Sequence, residues 1–99
     1  MATQSSTLQQ TKTDLQEPKK YNVVFHNDDF TPMQFVVQIL ISIFHKSEAE
    51  AESIMMAVHT KGMAVAACLP YDLAHSSASE ATRRARSQSY PLKITVEEA

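Results

Sequence analysis

The chain has 99 residues, 43% of them hydrophobic, and a formal net charge of −2, which bounds it to one domain with room for a shallow pocket and no large cofactor cavity. The nearly balanced charge and the lack of a basic face argue against a nucleic-acid partner. Cys68 is the one cysteine, which excludes an internal disulfide framework and fits a reducing compartment.

Residues Met1 to Lys20 are dominated by Gln, Ser, Thr and Lys. Such a segment buries too little to offset its ordering entropy, so residues 1–20 are expected to be a flexible extension of a domain spanning residues 21–99. Its start lacks a basic region followed by an apolar one, and no apolar stretch approaches the ~18 residues of a membrane span. A soluble, cytoplasmic protein is the expectation.

The composition changes at Tyr21. Tyr21 to His26 reads as a strand with Tyr21, Val23 and Phe25 on one face. Asn27-Asp28-Asp29 forms a turn cluster. A helix start follows, with Thr31 as N-cap, Pro32 at the first helical position, Gln34 completing a capping box, and Phe30 and Phe35 placed for a hydrophobic staple. Phe35, Val36, Ile39, Leu40, Ile43 and Phe44 form this helix's apolar stripe.

A second capping box, Ser47 with Glu50, opens a helix whose stripe is Ala51, Ile54, Met55 and Val58, and Gly62 is placed to end it. Met63 to Leu69 reads as a short apolar strand with the Cys68 thiol buried and inert. Pro70-Tyr71-Asp72 opens a third helix in which Leu73, Ser77, Ala81 and Ala85 recur every fourth residue, a stripe small enough for close packing. After Pro91, Leu92, Ile94 and Val96 alternate against Lys93, Thr95 and Glu97 as a last strand. The order β-α-α-β-α-β predicts an α/β (α+β) two-layer sandwich, a three-stranded antiparallel sheet with three helices on one face.

Three features exceed what folding requires. Asn27-Asp28-Asp29 is either a loop that caps its own turn or a cluster of acceptors suited to a cation or to N–H donors. His59, in the last turn of the second helix, either complements the helix dipole or accepts a hydrogen bond through a neutral ring nitrogen. Met33, Met55, Met56 and Met63 are either core or the adaptable lining of an apolar pocket. His26, His45, His59 and His75 show no metal-ligand spacing, and neither a nucleophile elbow nor a Gly-rich phosphate loop is present. No cofactor and no metal are expected.

The run Asn27-Asp28-Asp29-Phe30-Thr31-Pro32-Met33-Gln34-Phe35-Val36 resembles a signature of the ClpS adaptor family. Met55-Met56-Ala57-Val58-His59-Thr60-Lys61-Gly62 resembles the second signature, and the chain also has the family's Tyr90-Pro91-Leu92 near its end. The resemblance covers residues 21–99 and implies the same β-α-α-β-α-β sandwich. It further implies a non-enzymatic adaptor that binds N-degron substrates beginning with Leu, Phe, Tyr or Trp and delivers them to the N-terminal domain of the AAA+ unfoldase ClpA, for degradation by ClpAP. By position, Asn27, Asp28 and His59 would hold the α-amino group, and Asp29 and Thr31 would shape the rim. Met33 would sit at the mouth, with Val36, Ile39, Met55, Val58 and Leu92 forming or supporting the apolar wall. Met55 crowds the wall against β-branched first residues.

The chain departs from the family pattern at His26, Met63 and Ala67. In the third helix Asp72 keeps an acidic residue associated with unfoldase docking, while Ser77 stands where a basic one is familiar. These differences fit a divergent second member of the family, expected to be a monomer. Two other readings stay open on the residues alone. One is a docking module on a large assembly such as a ribosomal stalk. The other is an enzyme with His59 as general base and Asp28 as its orienter.

Overall fold

A computed structural model describes residues 18–99; most of the expected flexible extension, residues 1–17, lies outside the described residues. Alternation of apolar side chains sets the first strand, β1 (Lys20–His26), which begins one residue before the expected Tyr21. It is followed by α1 (Met33–Ser42), α2 (Glu48–Lys61), β2 (Met63–Pro70), α3 (Tyr71–Ser87) and β3 (Lys93–Glu98). The sheet order is β2-β1-β3, with both pairings antiparallel. This is the expected α/β sandwich: three strands in one open sheet, and three helices.

Strand β1 is central and contributes Val23 and Phe25, both fully buried, to the helix side of the sheet. There they meet Val36, Ile39, Leu40 and Phe44 from α1 and the turn after it, with the Phe25 and Phe44 rings in edge contact at 5.6 Å. Each large side chain buried this way is worth roughly 1.5–3 kcal/mol. Helix α2 is bounded as its caps dictate. The Glu50 amide donates to the Ser47 hydroxyl (3.1 Å), the Ser47 amide donates to the Glu50 carboxylate (2.9 Å), and Gly62 closes the helix at φ +92°.

Three expectations are corrected. The Thr31 capping box and the Phe30–Phe35 staple do not form. Pro32 is the N-cap, without a side-chain cap bond, and Phe30 is 77% exposed. Asp28 has taken both the amide and the hydroxyl of Thr31, so the hydroxyl is engaged on the turn instead of the helix end. The apolar face of α3 is Ala74, Ala78, Ala81 and Ala85, while Leu73 is 55% exposed and Ser77 half-buried. Four alanines let the helix lie close against all three strands, and that closeness fixes the phase more firmly than one leucine's hydrophobicity. Cys68 is exposed, not buried. It pairs across the ladder with Asn22, whose side chain points away from the face of Val23, so strand alternation carries the thiol to the open side of the sheet. The shift in register between Val23 and Val24 places Ala66 as the extra residue of a bulge in β2.

Candidate functional site

The chain leaves β1 at His26 and must reverse into α1, and the reversal is built on one carboxylate. Asp28 Oδ1 accepts from the amides of Phe30 (2.8 Å) and Thr31 (2.7 Å), and Oδ2 accepts from the Thr31 hydroxyl (2.8 Å). Burial alone would raise the Asp28 carboxyl, but the Thr31 and Phe30 amides, the Thr31 hydroxyl and the charge of Arg86 together hold it below the usual carboxylate range. Asp28 is therefore ionised at neutral pH. The capping role of this loop is real, and it also leaves a fixed anion beside the sheet end.

A second tie closes the site from the other side. The Asn27 amide donates to the Gly62 carbonyl (2.9 Å), which anchors the end of α2 against the start of the loop. The left-handed Gly62 turns the chain sharply enough for His59, in the last turn of α2, to stand beside Asn27 and Asp28. The third wall is Leu92, 1% exposed, in the segment between α3 and β3. Arg86 holds that segment: its guanidinium donates to the carbonyls of Tyr90 (2.8 Å) and Leu92 (2.9 Å).

These elements enclose a cavity lined by His26, Asn27, Asp28, Thr31, Met33, Val36, Met55, Val58, His59 and Leu92. Nine of the expected site residues are thus gathered around one cavity; Asp29 and Ile39 are not in its lining. Asp29 is exposed on the loop, and Ile39 is buried in the core, about one helical turn after Val36. Asp72 is exposed in the first turn of α3, and Ser77 lines a separate groove with Leu69, Leu73 and Ile43. Two participants were not among the expected site residues. His26 enters the lining, with its Nε2 2.8 Å from the Thr95 hydroxyl. Arg86 supports both Asp28 and Leu92, and its only sequence signal is a basic residue in the last turn of a helix.

The cavity measures about 20 Å³, space for a water molecule and not for a bulky side chain. Its lining is chemically mixed: the amide, carboxylate and imidazole of Asn27, Asp28 and His59 meet the apolar side chains of Met33, Val36, Met55, Val58 and Leu92 around one cavity. Met33 is 43% exposed and unbranched, so it can change rotamer.

The site thus pairs a fixed carboxylate with methionine and other apolar side chains on a small α/β scaffold. A family profile described as "ATP-dependent Clp protease adaptor protein ClpS" matches residues 16–95. The Clp protease adapter ClpS of Clostridium acetobutylicum is 42% identical over 87 residues, covering 88% of this chain and 86% of that protein. The corresponding Treponema denticola protein is 46% identical over 81 residues, covering 82% and 80% respectively. Among solved structures, Agrobacterium tumefaciens ClpS2 bound to L-phenylalaninamide superposes with a TM-score of 0.80 at 37% identity, covering 84% of this chain and 100% of that one. The chain belongs to the ClpS family, the non-catalytic adaptors of the ATP-dependent Clp protease. No helix among the described residues is long and apolar enough to cross a membrane.

Proposed function

We propose that this adaptor recognises proteins by a free N-terminal residue with a bulky hydrophobic side chain (Leu, Phe, Tyr or Trp) and delivers them in the cytoplasm to the unfoldase ClpA of the ClpAP protease. The observation that supports this reading is the mixed lining of one cavity, polar acceptors together with apolar side chains. An α-ammonium group is a cation with N–H donors; Asn27, Asp28 and His59 supply acceptors, and Asp28 supplies the compensating charge. The first side chain enters between Met33, Val36, Met55, Val58 and Leu92. Asp29 and Thr31 border the entry, and Ile39 backs the wall from the core.

The phenylalaninamide in the Agrobacterium protein has the features of such a ligand: a free amine, a Phe side chain, and an amide where the next residue would begin. Its presence on a similar fold supports the same ligand class here. Burial of one such side chain contributes roughly 1.5–3 kcal/mol and each hydrogen bond to a charged group about 1.5–3 kcal/mol. After the cost of association, the expected affinity is roughly micromolar. Entry requires Met33 and Met55 to move, because the cavity of about 20 Å³ is closed to a phenyl or isobutyl group.

Calorimetric titration with peptides that differ only at residue one tests the proposal. Strong discrimination favouring Leu, Phe, Tyr and Trp over Ala and Ser is expected. Affinities that do not vary with residue one would overturn it.

A further inference from the structure

Strand β3 forms an edge of the sheet, and the parity of its backbone can be read from the ladder with β1. The Ala99 amide donates to the Lys20 carbonyl (3.0 Å), and the register pairs Glu97 with Asn22, Thr95 with Val24 and Lys93 with His26. In an antiparallel ladder alternate residues exchange hydrogen bonds with the neighbour. Lys93, Thr95 and Glu97 therefore turn their backbone groups toward β1, and Ile94 and Val96 turn theirs to the free edge.

The side chains follow the same alternation. Lys93, Thr95 and Glu97 stand on the open face beside His26, Val24 and Asn22. Ile94 and Val96 stand on the helix face and are only half-buried. A groove of about 500 Å³ runs beside them, bounded on α3 by the short side chains of Ala78, Ser79 and Thr82 and, toward its ends, by His75 and Arg83. Apolar strand surface is thus left uncovered next to an unpaired edge.

Charges on an edge strand ordinarily keep copies apart. Here they are arranged as cation, neutral and anion at Lys93, Thr95 and Glu97. A two-fold axis through Thr95 sets Lys93 of each copy opposite Glu97 of the other. The same axis sets Ile94 opposite Val96 on the helix face. Both of these residues point their backbone groups outward, so they form the hydrogen-bonded pairs of the new ladder. A slip of one residue would bring inward-turned amides to the edge and mismatch the faces. A slip of two would leave Lys93 and Glu97 without each other.

We propose that β3 pairs with β3 of a second copy of this chain about a two-fold axis at Thr95, joining two sheets into one of six antiparallel strands. Only Lys93–Glu97 pair, so the dimer is weak and depends on concentration, as small interfaces are. The inference is independent of peptide recognition.

Sedimentation equilibrium of the full chain from about 10 µM to about 1 mM, a span chosen for small interfaces, provides the test. The wild type should shift from monomer toward dimer mass. Lys93→Glu places carboxylates opposite each other twice and should lower the association constant roughly tenfold or more; K93E/E97K restores the opposite charges and should return it to within about threefold of wild type. Val96→Pro removes an outward amide without touching the β1 ladder, a position where proline is tolerated, and should abolish the dimer. Circular dichroism melting reports that each variant is folded, and the charge variants carry the test if Val96→Pro does not fold. Monomer mass throughout, a dimer indifferent to Lys93→Glu, or a double variant that fails to recover would overturn the proposal.

Discussion

Arg86 joins fold and site, and its removal has a calculable cost. Its guanidinium donates to the Tyr90 and Leu92 carbonyls at 2.8 and 2.9 Å, and its charge helps hold Asp28 ionised. A hydrogen bond from a charged donor contributes about 1.5–3 kcal/mol where water is excluded, and less where it is not. The Tyr90 bond is exposed and the Leu92 bond part-buried, so Arg86→Met, which keeps the aliphatic stem, should cost about 2 kcal/mol in all. For a domain of this size that lowers Tm by roughly 8–16 °C. The Leu92 segment loosens at the same time, and affinity for a peptide beginning with Phe should fall. Thermal melting by circular dichroism and calorimetric titration on the same samples measure both effects. A Tm within about 2 °C of wild type, with peptide affinity unchanged, would refute the bracing role.

Three further outcomes follow from the geometry. Gly62→Ala meets no atom within 4 Å of the new Cβ but must hold φ +92°, so it should cost about 1–2 kcal/mol of unfolding free energy in urea from backbone strain alone. Ala81→Leu, at a fully buried position under α3, should cost about 1–3 kcal/mol through overpacking, with the same assay. The Asp28 carboxyl lies below its ordinary 3.8 in the folded chain; its stabilising contribution is therefore full above the unfolded value and drains away as pH falls through the folded one. The stability difference between wild type and Asp28→Asn should be flat near neutrality and shrink below about pH 4 in acid titration.

The residues that declared themselves in the sequence were those governed by local chemistry. Ser47 with Glu50 and the left-handed Gly62 bounded α2 because caps act within one turn. Alternation in Tyr21–His26 and Lys93–Val96 gave two strands for the same reason. The errors lay where two local preferences competed or where a partner was distant. Thr31 was as good a cap as Ser47, but Asp28 reached its hydroxyl first. In α3 the helical phase was decided by how closely alanines approach the sheet, which a hydrophobicity pattern with Leu73 in it misreads. Cys68 lay in an apolar run, and only its pairing with Asn22 reveals that it faces outward. Arg86 bonds backbone carbonyls four and six residues on, acceptors that every residue possesses, so no side-chain pattern marked it.

The central claim, capture of a free N-terminal residue, is tested most directly by fluorescence anisotropy with one labelled peptide beginning with Phe and its N-acetylated twin. Wild type and Asn27→Ala should be titrated side by side. Acetylation removes the charge and donors that Asn27, Asp28 and His59 are placed to receive, so roughly micromolar binding is expected only for the free amine on wild type. Equal binding of both peptides, or equal binding by Asn27→Ala, would contradict the account.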